Sequence, residues 1–461
     1  MRRHIYDDDI WYSLGLRYVK LATRLCYRRF HVSGWERVPR DGSVILVSNH
    51  TSALMDPLVM LLAEGKKVVF MARADIFRKP AVRTILTWLR ILPIYRIRDG
   101  YDAVKGNDRA IAQAVEVVTH RVPLCLYPEG THRSMHSLLR LSKGIFHIAL
   151  EADAKQGSHR PVYIVPVGIE YSDYFRFRAD VEMQVGEPIN VSQFAEDFHR
   201  LSAEDEGREA VPQDDNKDSL SQDETDEKAP GEVNKARLMN ALRERLTAEL
   251  QSLFTCLPDD EDYDALWELT QLRTAQSHPL SVRESVVLNQ REMSHLLDVR
   301  NNNPTEWKEL CARALAFKRQ REEQAIAIRS TALSRLGCGV IGRALGLLVT
   351  LPLFILCGVL SWPAWLLTTI VARNAHDAAW KNTWRFAVCL LLMPVLVLVV
   401  ALVAFSHLHW GWALALTLLA AASIPVVYDW VEQFRRFVSD CRWLRSPSLQ
   451  GELRSLFRNQ S

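Results

Sequence analysis

The sequence predicts an α/β domain with a mostly parallel sheet, followed by a C-terminal α-helical membrane region. Between residues 41 and 195, apolar strand-like runs alternate with helical patterns, which is typical of a sheet flanked by helices. Residues 344–372, 386–405 and 410–428 contain no charged side chain. Since a membrane span needs about 20 apolar residues, the last two runs are each long enough to cross.

The expected elements follow from apolar periodicity. Strands are predicted at residues 43–48, 67–71, 122–127, 162–167 and 181–185, and helices at 57–64, 78–90, 104–120 and 137–153. The predicted units are an N-terminal amphipathic membrane-associating region (1–40), an α/β core (41–195), an acidic disordered linker (196–233), a helical segment whose first helix packs on the core (234–336), membrane-embedded helices (337–430) and a basic C-terminal tail (431–461).

Charge and cysteine content narrow the class of protein. The net charge of +3 over 461 residues hides a tract, residues 201–230, with eleven acidic and three basic side chains. The rest of the chain is therefore clearly basic, which suits an anionic surface or substrate. The eight cysteines show no Cys-x-x-Cys spacing, which argues against a zinc ribbon and for a reduced compartment. No cleavable secretory signal and no Gly-rich nucleotide loop are evident.

The three uncharged runs predict a particular membrane arrangement. The connection between the second and third runs, residues 406–409, is short and uncharged. These two runs are therefore expected to form a helical hairpin. The first run is too long for one span and is interrupted by Trp362-Pro363. Cationic side chains flank it on both sides, and if these stay in the cytoplasm the run enters and returns, bent near Pro363.

The N-terminal stretch from Ile10 to Phe30 is amphipathic. Its cations fall at helical spacing on one stripe, which is typical of a helix lying in the membrane interface; they are Arg17, Lys20, Arg24 and Arg28. The alternative is an ordinary amphipathic helix packed on the core.

Polar residues follow two of the predicted strands. The strand at 43–48 leads into Asn49-His50 and, after five residues, Asp56. The strand at 122–127 leads into Pro128-Glu129-Gly130-Thr131-His132-Arg133. The end of a strand is where an open α/β sheet places its chemistry, so these loops are the candidate active site.

Four blocks in order resemble the phospholipid/glycerol acyltransferase (PlsC-like) family over roughly residues 41–190. Asn49-His50 with Asp56 is similar to its first motif, Leu92–Arg96 to its second, Pro128–Arg133 to its third and Ile164–Gly168 to its fourth. The common family pattern has four residues between His and Asp, whereas this chain has five. Some glycerol-3-phosphate acyltransferases of the family look the same at this spacing, which favours an active variant.

His50 is the expected general base. An imidazole with a pKa near 6.5 suits proton transfer at neutral pH. Asp56 would accept the other ring N–H, fix the tautomer and stabilise the imidazolium. No nucleophilic Ser or Cys is needed if the bound alcohol attacks directly. An additional or alternative role for Asp56-Pro57 is helix capping, as N-cap and first helical residue of a helix that ends near Gly65.

The resemblance implies the substrate-binding residues. Arg96 and Arg133 would bind the acceptor's phosphate through the paired N–H donors of their guanidinium groups. Glu129, Gly130 and Thr131 would shape the glycerol phosphate site. Lys143 and Arg73 are further candidates, which could instead be solvated surface cations. The resemblance places Pro166, Val167 and Gly168 in an acyl groove, with a plain buried strand as the alternative.

His132 and His136 are four residues apart, a spacing that can chelate a metal on a helix. No third ligand at convincing spacing accompanies them, so no metal is expected. The expected cofactors are likewise none, with acyl-CoA or acyl-carrier protein as co-substrate.

The resemblance therefore implies a membrane-bound acyltransferase that esterifies glycerol-3-phosphate or 1-acyl-glycerol-3-phosphate, in phosphatidate biosynthesis. Dihydroxyacetone phosphate or another lysophospholipid remains open as acceptor. The alternatives are an acyl-thioester hydrolase and a catalytically inactive membrane scaffold. The expected partners are membrane lipids, the thioester donor and the phosphate-bearing acceptor, without nucleic acid. The catalytic domain is expected to face the cytoplasm, at a bacterial inner membrane or a eukaryotic endomembrane.

Overall fold

The computed structural model describes residues 5, 7, 9–64, 67–95, 102–157, 160–209, 230–278, 280–334, 337–375 and 377–458. The strands are β1 Phe30–Ser33, β2 Ser43–Ser48, β3 Val69–Arg73, β4 Ile91–Ile94, β5 Leu124–Leu126, β6 Val162–Tyr171, β7 Val181–Val185 and β8 Ile189–Asn190. The helices are α1 Ile10–Cys26, α2 Met55–Ala63, α3 Pro80–Trp88, α4 Asp102–Thr119, α5 Gly144–Gln156, α6 Val191–Glu209, α7 Pro230–Leu253, α8 Tyr263–Gln276, α9 Val282–Asn302, α10 Pro304–Glu323, α11 Cys338–Arg373, α12 Trp380–His407, α13 Trp410–Leu444 and α14 Pro447–Phe457.

All of these strands join one mostly parallel sheet, in the order β1-β7-β6-β2-β5-β3-β4, with β8 paired to β6. The pairs β6–β7 and β6–β8 are antiparallel, and the other pairs are parallel. The structure thus confirms the predicted fold class. Because β2 and β5 are parallel neighbours, the loops after their carboxyl ends lie side by side.

Helices cover both faces of the sheet. Successive side chains of a strand point to opposite faces, so Ile45 and Val47 enter one core while Val44 and Leu46 enter the other. Residues of α4, α5 and α7 complete the first core. Residues of α1 and α2 complete the second, together with Ala364, Phe386 and Ile424 of the C-terminal helices. The C-terminal helices therefore pack directly on the α/β core.

Several elements differ from the prediction. The short strands β1, β4 and β8 were not predicted, because two to four residues give little periodicity and their strand form depends on pairing with distant partners. The helix expected at 137–153 begins only at Gly144. Residues before it belong to the loop after β5, where the Leu139 backbone N–H donates to the Glu129 carboxylate.

The linker and the tail are both shorter than predicted. Helix α6 continues to Glu209, and its Phe194, Ala195 and Phe198 pack against the first core; residues 210–229 lie outside the described part. The C-terminal segment expected as a basic tail instead continues α13 and forms α14. Its buried Trp443, Leu449, Leu453 and Leu456 join a third core with α8, α9 and α10. Apolar side chains at helical spacing explain why this segment packs.

Helices α11, α12 and α13 are each long and apolar enough to cross a membrane, judged by length and composition. Residues 410–428 lie in α13 and residues 386–405 in α12, joined by Leu408 and His409. Within the described residues, α11 runs without interruption through Pro352 and Pro363. The helix therefore has no gap near Pro363, where a break was predicted.

Helix α11 is nevertheless bent. Arg343 pairs with Asp440, and Phe354 stacks on Trp430 with ring centroids 4.1 Å apart, so the first half of α11 runs antiparallel to α13. Both helices rise by about 1.5 Å per residue, so if α11 continued straight, its residue 368 would lie opposite roughly residue 416 of α13. Instead, the Thr368 hydroxyl lies 3.0 Å from the Tyr428 hydroxyl. The second half of α11 thus turns back along α13, and a proline inside a helix explains such a bend.

Helix α1 has two apolar surfaces. Cys26, Val19 and Ala22 pack into the second core. On the other side a row of large apolar side chains is exposed: Ile10, Trp11, Leu14, Tyr18, Leu21 and Leu25. The Tyr18 hydroxyl donates to the Leu390 carbonyl of α12 at 2.5 Å, which places α1 beside the second apolar helix. Packing on the core and an exposed apolar row thus coexist, and association of this row with lipid remains a prediction.

Candidate active site

The His50 and Asp56 side chains form a hydrogen-bonded pair after β2. His50 Nδ1 lies 2.8 Å from Asp56 Oδ2. The same carboxylate oxygen accepts the backbone N–H groups of Thr51 and Ser52, each at 2.8 Å. Asp56 is fully buried, while 17% of the His50 side chain is exposed. A carboxylate that only accepts requires the proton to be on Nδ1, so Nε2 is left as the basic, partly accessible nitrogen.

A tight turn lies between His50 and Asp56. Ala53 takes a positive φ of 44°, in the left-handed region that a residue with a side chain seldom enters. The Met55 backbone N–H donates to the Ser52 carbonyl at 2.8 Å and closes the turn. Helix α2 begins at Met55 and ends at Ala63, so Asp56 lies inside the first turn. The N-cap role considered for Asp56 is therefore wrong; its carboxylate binds the turn before the helix instead.

Tyr171, at the end of β6, holds the second oxygen of Asp56. Its hydroxyl donates to Asp56 Oδ1 at 2.7 Å. Burial, followed by the charge of Asp56, raises the pKa of Tyr171 well above its ordinary value. The phenol therefore stays protonated and acts as a donor. With Tyr171 in place, Asp56 accepts from four donors and its orientation is fixed.

The loop after β5 approaches His50 through Glu129. One Glu129 carboxylate oxygen accepts the His50 backbone N–H at 2.7 Å, and the other accepts the Leu139 N–H at 3.0 Å. Burial raises the pKa of Glu129, against the lowering effect of these two hydrogen bonds. Gly130 has a φ of 67°, which glycine adopts at little cost. Thr131 is half-buried in the same loop. Glu129 therefore ties the two strand-end loops together.

Arg133 is joined to the site by its backbone and to the helical segment by its side chain. Its backbone N–H donates to the His50 carbonyl at 3.0 Å. Its guanidinium donates to Asp259 at 2.7 Å and to Ser137 Oγ at 2.6 Å. Its Nε is buried without a hydrogen-bond partner among the described residues. The guanidinium thus keeps an unused donor.

The two histidines of this loop diverge. His132 Nε2 lies 2.9 Å from Asp377 Oδ2, in the connection between α11 and α12, and its ring meets the His50 ring edge-on at 5.7 Å. His136 is buried, lies 3.1 Å from Glu170 and stacks on Trp267. The described residues contain no cluster of three or more potential metal ligands. The two imidazoles therefore face different surroundings and do not point to a common ligand.

The remaining predicted phosphate ligands lie at the surface or outside the described residues. Arg73, at the end of β3, pairs with the neighbouring Asp75 at 2.7 Å, and both side chains are largely accessible. Lys143 is exposed just before α5. Arg96 lies outside the described residues. Neither Arg73 nor Lys143 is shown in contact with His50, so their binding roles stay predictions.

Pro166, Val167 and Gly168 do not line one groove. They are consecutive residues of β6, so their side chains alternate between the two faces of the sheet. Val167 is buried in the second core. A Cβ atom at Gly168 would lie 2.8 Å from the Leu253 carbonyl oxygen, and the Pro166 ring also lies next to Gly186. All three residues are buried, which agrees with the buried-strand alternative, and a role beside an acyl chain stays a prediction.

Sequence reasoning missed several residues of the site. Tyr127 stacks on the His50 ring with centroids 4.4 Å apart. Tyr171, Asp259 and Asp377 reach the site from positions 115, 126 and 245 residues away from the side chains they bind. Tyr127 could have been suspected, because it directly precedes the Pro-Glu-Gly-Thr block. No local pattern points to the other three, because only the folded chain brings them to the site.

A family model and several curated proteins match part of this chain. A family model described as Acyltransferase matches residues 29–170. A 1-acyl-sn-glycerol-3-phosphate acyltransferase of Borreliella burgdorferi is 25% identical over 133 residues, which is 29% of this chain and 51% of that protein. The 1-acyl-sn-glycerol-3-phosphate acyltransferase alpha of Mus musculus is 29% identical over 163 residues, 35% of this chain and 52% of that protein. The chain spans about half the length of these curated relatives.

Among solved structures, the 1-acyl-sn-glycerophosphate (LPA) acyltransferase PlsC from Thermotoga maritima is similar over 53% of this chain and 83% of that chain, with 18% identity and a TM-score of 0.32. The matched segment 29–170 contains β1 to β5, most of β6 and the His50–Asp56 pair. Residues 29–170, which carry the candidate site, are therefore similar to a PlsC-like acyltransferase domain.

Proposed function

We propose that the protein is a membrane-bound glycerolipid acyltransferase that transfers a fatty acyl group from an acyl thioester to a hydroxyl of glycerol-3-phosphate or 1-acyl-glycerol-3-phosphate. The observation that carries this proposal is the His50–Asp56 pair, with its buried four-donor carboxylate and its partly exposed imidazole. The matched relatives named above are acyltransferases that act on 1-acyl-sn-glycerol-3-phosphate.

The pair supports direct transfer without an acyl-enzyme. His50 Nε2 takes the proton of the acceptor hydroxyl as the hydroxyl oxygen attacks the thioester carbonyl carbon. Asp56 stabilises the imidazolium that forms. When the tetrahedral intermediate collapses, the C–S bond breaks and the thiolate takes the proton back from Nε2. The products are an ester and a free thiol, and His50 is returned to its starting state.

Three buried polar atoms of the two strand-end segments lack a hydrogen-bond partner within the described part of the chain: Thr51 Oγ1, Tyr127 OH and Arg133 Nε. Buried polar groups are nearly always paired in folded proteins, so a group of orphaned atoms at one site suggests that a ligand supplies the partners. The oxygen atoms of a phosphate-bearing acceptor and of the thioester carbonyl are suitable partners. Arg133 Nε is the proposed phosphate donor among the three.

The proposed location of the reaction is the cytoplasmic face of the membrane, because acyl thioesters are expected on that side. The α/β core contacts the ends of the apolar helices through polar pairs. Arg178 binds Asp429 at 2.7 Å, Arg176 binds Glu432 at 2.8 Å, and Asn382 donates to the Tyr174 carbonyl at 2.7 Å. Charged groups of this kind belong at the water-exposed ends of membrane helices.

The identity of the lipid product tests this function. Solubilised full-length protein is incubated with labelled palmitoyl-CoA, or palmitoyl-acyl-carrier protein, and with glycerol-3-phosphate, 1-acyl-glycerol-3-phosphate, dihydroxyacetone phosphate or water alone. The expected product is a labelled glycerolipid that forms only with a phosphate-bearing acceptor. Free fatty acid as the main product would support a thioester hydrolase instead, and no turnover with any donor would support a scaffold.

A further inference from the structure

The loop after β5 carries two neighbouring cation-capable side chains that have different partners. The Arg133 guanidinium reaches Asp259 and Ser137, on the side of the helical segment. The neighbouring His132 ring lies edge-on to the His50 ring, with centroids 5.7 Å apart. The imidazole is therefore the side chain of this pair that faces the candidate base.

His132 is fixed by residues from outside the acyltransferase domain. Asp377 Oδ2 lies 2.9 Å from His132 Nε2, and the Trp380 ring meets the imidazole edge-on at 5.9 Å. Asp377 is itself held, because its Oδ1 accepts the Ala379 backbone N–H at 2.9 Å. The turn that carries Asp377 is docked on the core by Asn382, which donates to the Tyr174 carbonyl. The connection between α11 and α12 thus reaches the edge of the site.

A carboxylate hydrogen-bonded to one imidazole nitrogen orients the ring, as Asp56 does for His50. His132 Nδ1 makes no hydrogen bond with the described residues, so this nitrogen is available to a ligand. A charged imidazole N–H is a strong donor to a phosphate oxygen. In a glycerol phosphate the hydroxyl and the phosphate are only a few bonds apart, so the phosphate must bind close to the base that takes the hydroxyl proton.

We infer that His132 is a phosphate ligand of the acceptor and that Asp377 is its positioning residue, supplied by the membrane region. This inference rests on the proposed function, since it requires a phosphate-bearing acceptor. The apolar helices then have a role beyond anchoring, because they complete the acceptor site of the α/β core. Arg133 and His132 bind the same phosphate from two sides.

Steady-state kinetics on the full-length protein test the inference with Asp377→Asn, His132→Gln and the double variant. The matched control is Asp264→Asn, which removes a similar carboxylate from an exposed pair with Lys318 at 3.0 Å. We expect Asp377→Asn and His132→Gln each to raise the acceptor KM about tenfold, the effect of one charge-assisted hydrogen bond. The donor KM and kcat should stay within about twofold. The double variant should be no worse than His132→Gln, because the two residues act as one unit.

Equilibrium binding of glycerol-3-phosphate to the same four variants and the wild type separates this inference from the proposed function. Weaker binding to Asp377→Asn and His132→Gln supports the inference even if no acyl transfer is detected. Normal acyl transfer by Asp377→Asn with unchanged acceptor KM and unchanged binding overturns it and leaves the proposed function intact. A loss of kcat in both single variants together with a lower melting temperature also overturns the inference. The contact between His132 and Asp377 would then be structural. If the wild type binds neither glycerol-3-phosphate nor 1-acyl-glycerol-3-phosphate in this measurement, both proposals are contradicted.

Discussion

At the scale of single residues, the proposed chemistry depends on the hydrogen bonds that the Asp56 carboxylate accepts. Four donors converge on a carboxylate that water does not reach. This arrangement fixes the proton on His50 Nδ1 and leaves Nε2 as the proposed base. Two of the four donors are backbone N–H groups of the turn, so only His50 and Tyr171 can be tested by substitution.

Replacing Tyr171 by Phe should lower kcat about three- to tenfold and the free energy of unfolding by about 1–2 kcal/mol, because Asp56 loses one hydrogen bond to a charged group but keeps three. Rate assays and denaturation of the solubilised protein measure both effects. The control is Tyr163→Phe, on the same strand, whose hydroxyl bonds the exposed Asp41 at 3.2 Å. Equal effects of the two substitutions on kcat would show that Tyr171 does not position Asp56.

Replacing Arg133 by Lys should raise the acceptor KM about tenfold or more, because an ammonium cannot bind Asp259, Ser137 and a phosphate oxygen in the fork geometry of a guanidinium. The donor KM should change little. Arg140→Lys, at an exposed position of the same loop, is the matched control. An Arg133→Lys enzyme with wild-type acceptor KM would remove Arg133 from the phosphate site.

At the scale of elements, the sequence predicts what depends on local pattern. The strands at 43–48 and 181–185 agree with β2 and β7 to the residue, because β2 contains a continuous apolar run and apolar and polar residues alternate strictly in β7. The short strands β1 and β4 were not predicted, because they are strands only through pairing with β7 and β3. Packing of α7 on the core agrees with the prediction, but the contact of its Leu253 with Gly168 of β6 could not be predicted from a local pattern.

Gly168 is needed for the approach of α7 to the sheet. A Cβ atom there would overlap the side chain and the carbonyl oxygen of Leu253, so Gly168→Ala should destabilise the protein by about 1–3 kcal/mol. A Cβ atom at Gly144, in the first turn of α5, would meet only Ile94 Cδ1 at 3.9 Å. Gly144→Ala should therefore be neutral or slightly stabilising. Thermal denaturation compares the two, and equal melting temperatures would contradict the packing described here.

The bend of α11 makes a prediction about the membrane. Because α11 turns back along α13 and Asp377 contacts the core, the turn after α11 should lie on the same side as His50. Cysteines introduced at the exposed Asn374 and Ser406 should react with an impermeant maleimide from opposite sides of sealed vesicles, in a background without reactive native cysteines. Labelling of both positions from one side would exclude the proposed arrangement.

At the scale of the whole molecule, three parts of the chain meet at one site. The acyltransferase domain supplies His50, Asp56 and the loop after β5. The helical segment supplies Asp259, and the connection between α11 and α12 supplies Asp377. Sequence motifs predicted the first group, because its residues follow their own strands. The other two could not be predicted, since their partners are more than a hundred residues away and their surroundings carry no motif.

The most direct test of the account compares the wild type with His50→Ala in the same transfer assay, using labelled acyl-CoA and the acceptor that the wild type prefers. The substitution should reduce transfer by at least about a hundredfold, the lower end of what a positioned general base contributes. Extraction from membranes should match the wild type, and the melting temperature should fall no further than in Tyr171→Phe, because Asp56 again keeps three donors. A His50→Ala protein that inserts normally and transfers acyl groups at the wild-type rate would contradict the central claim.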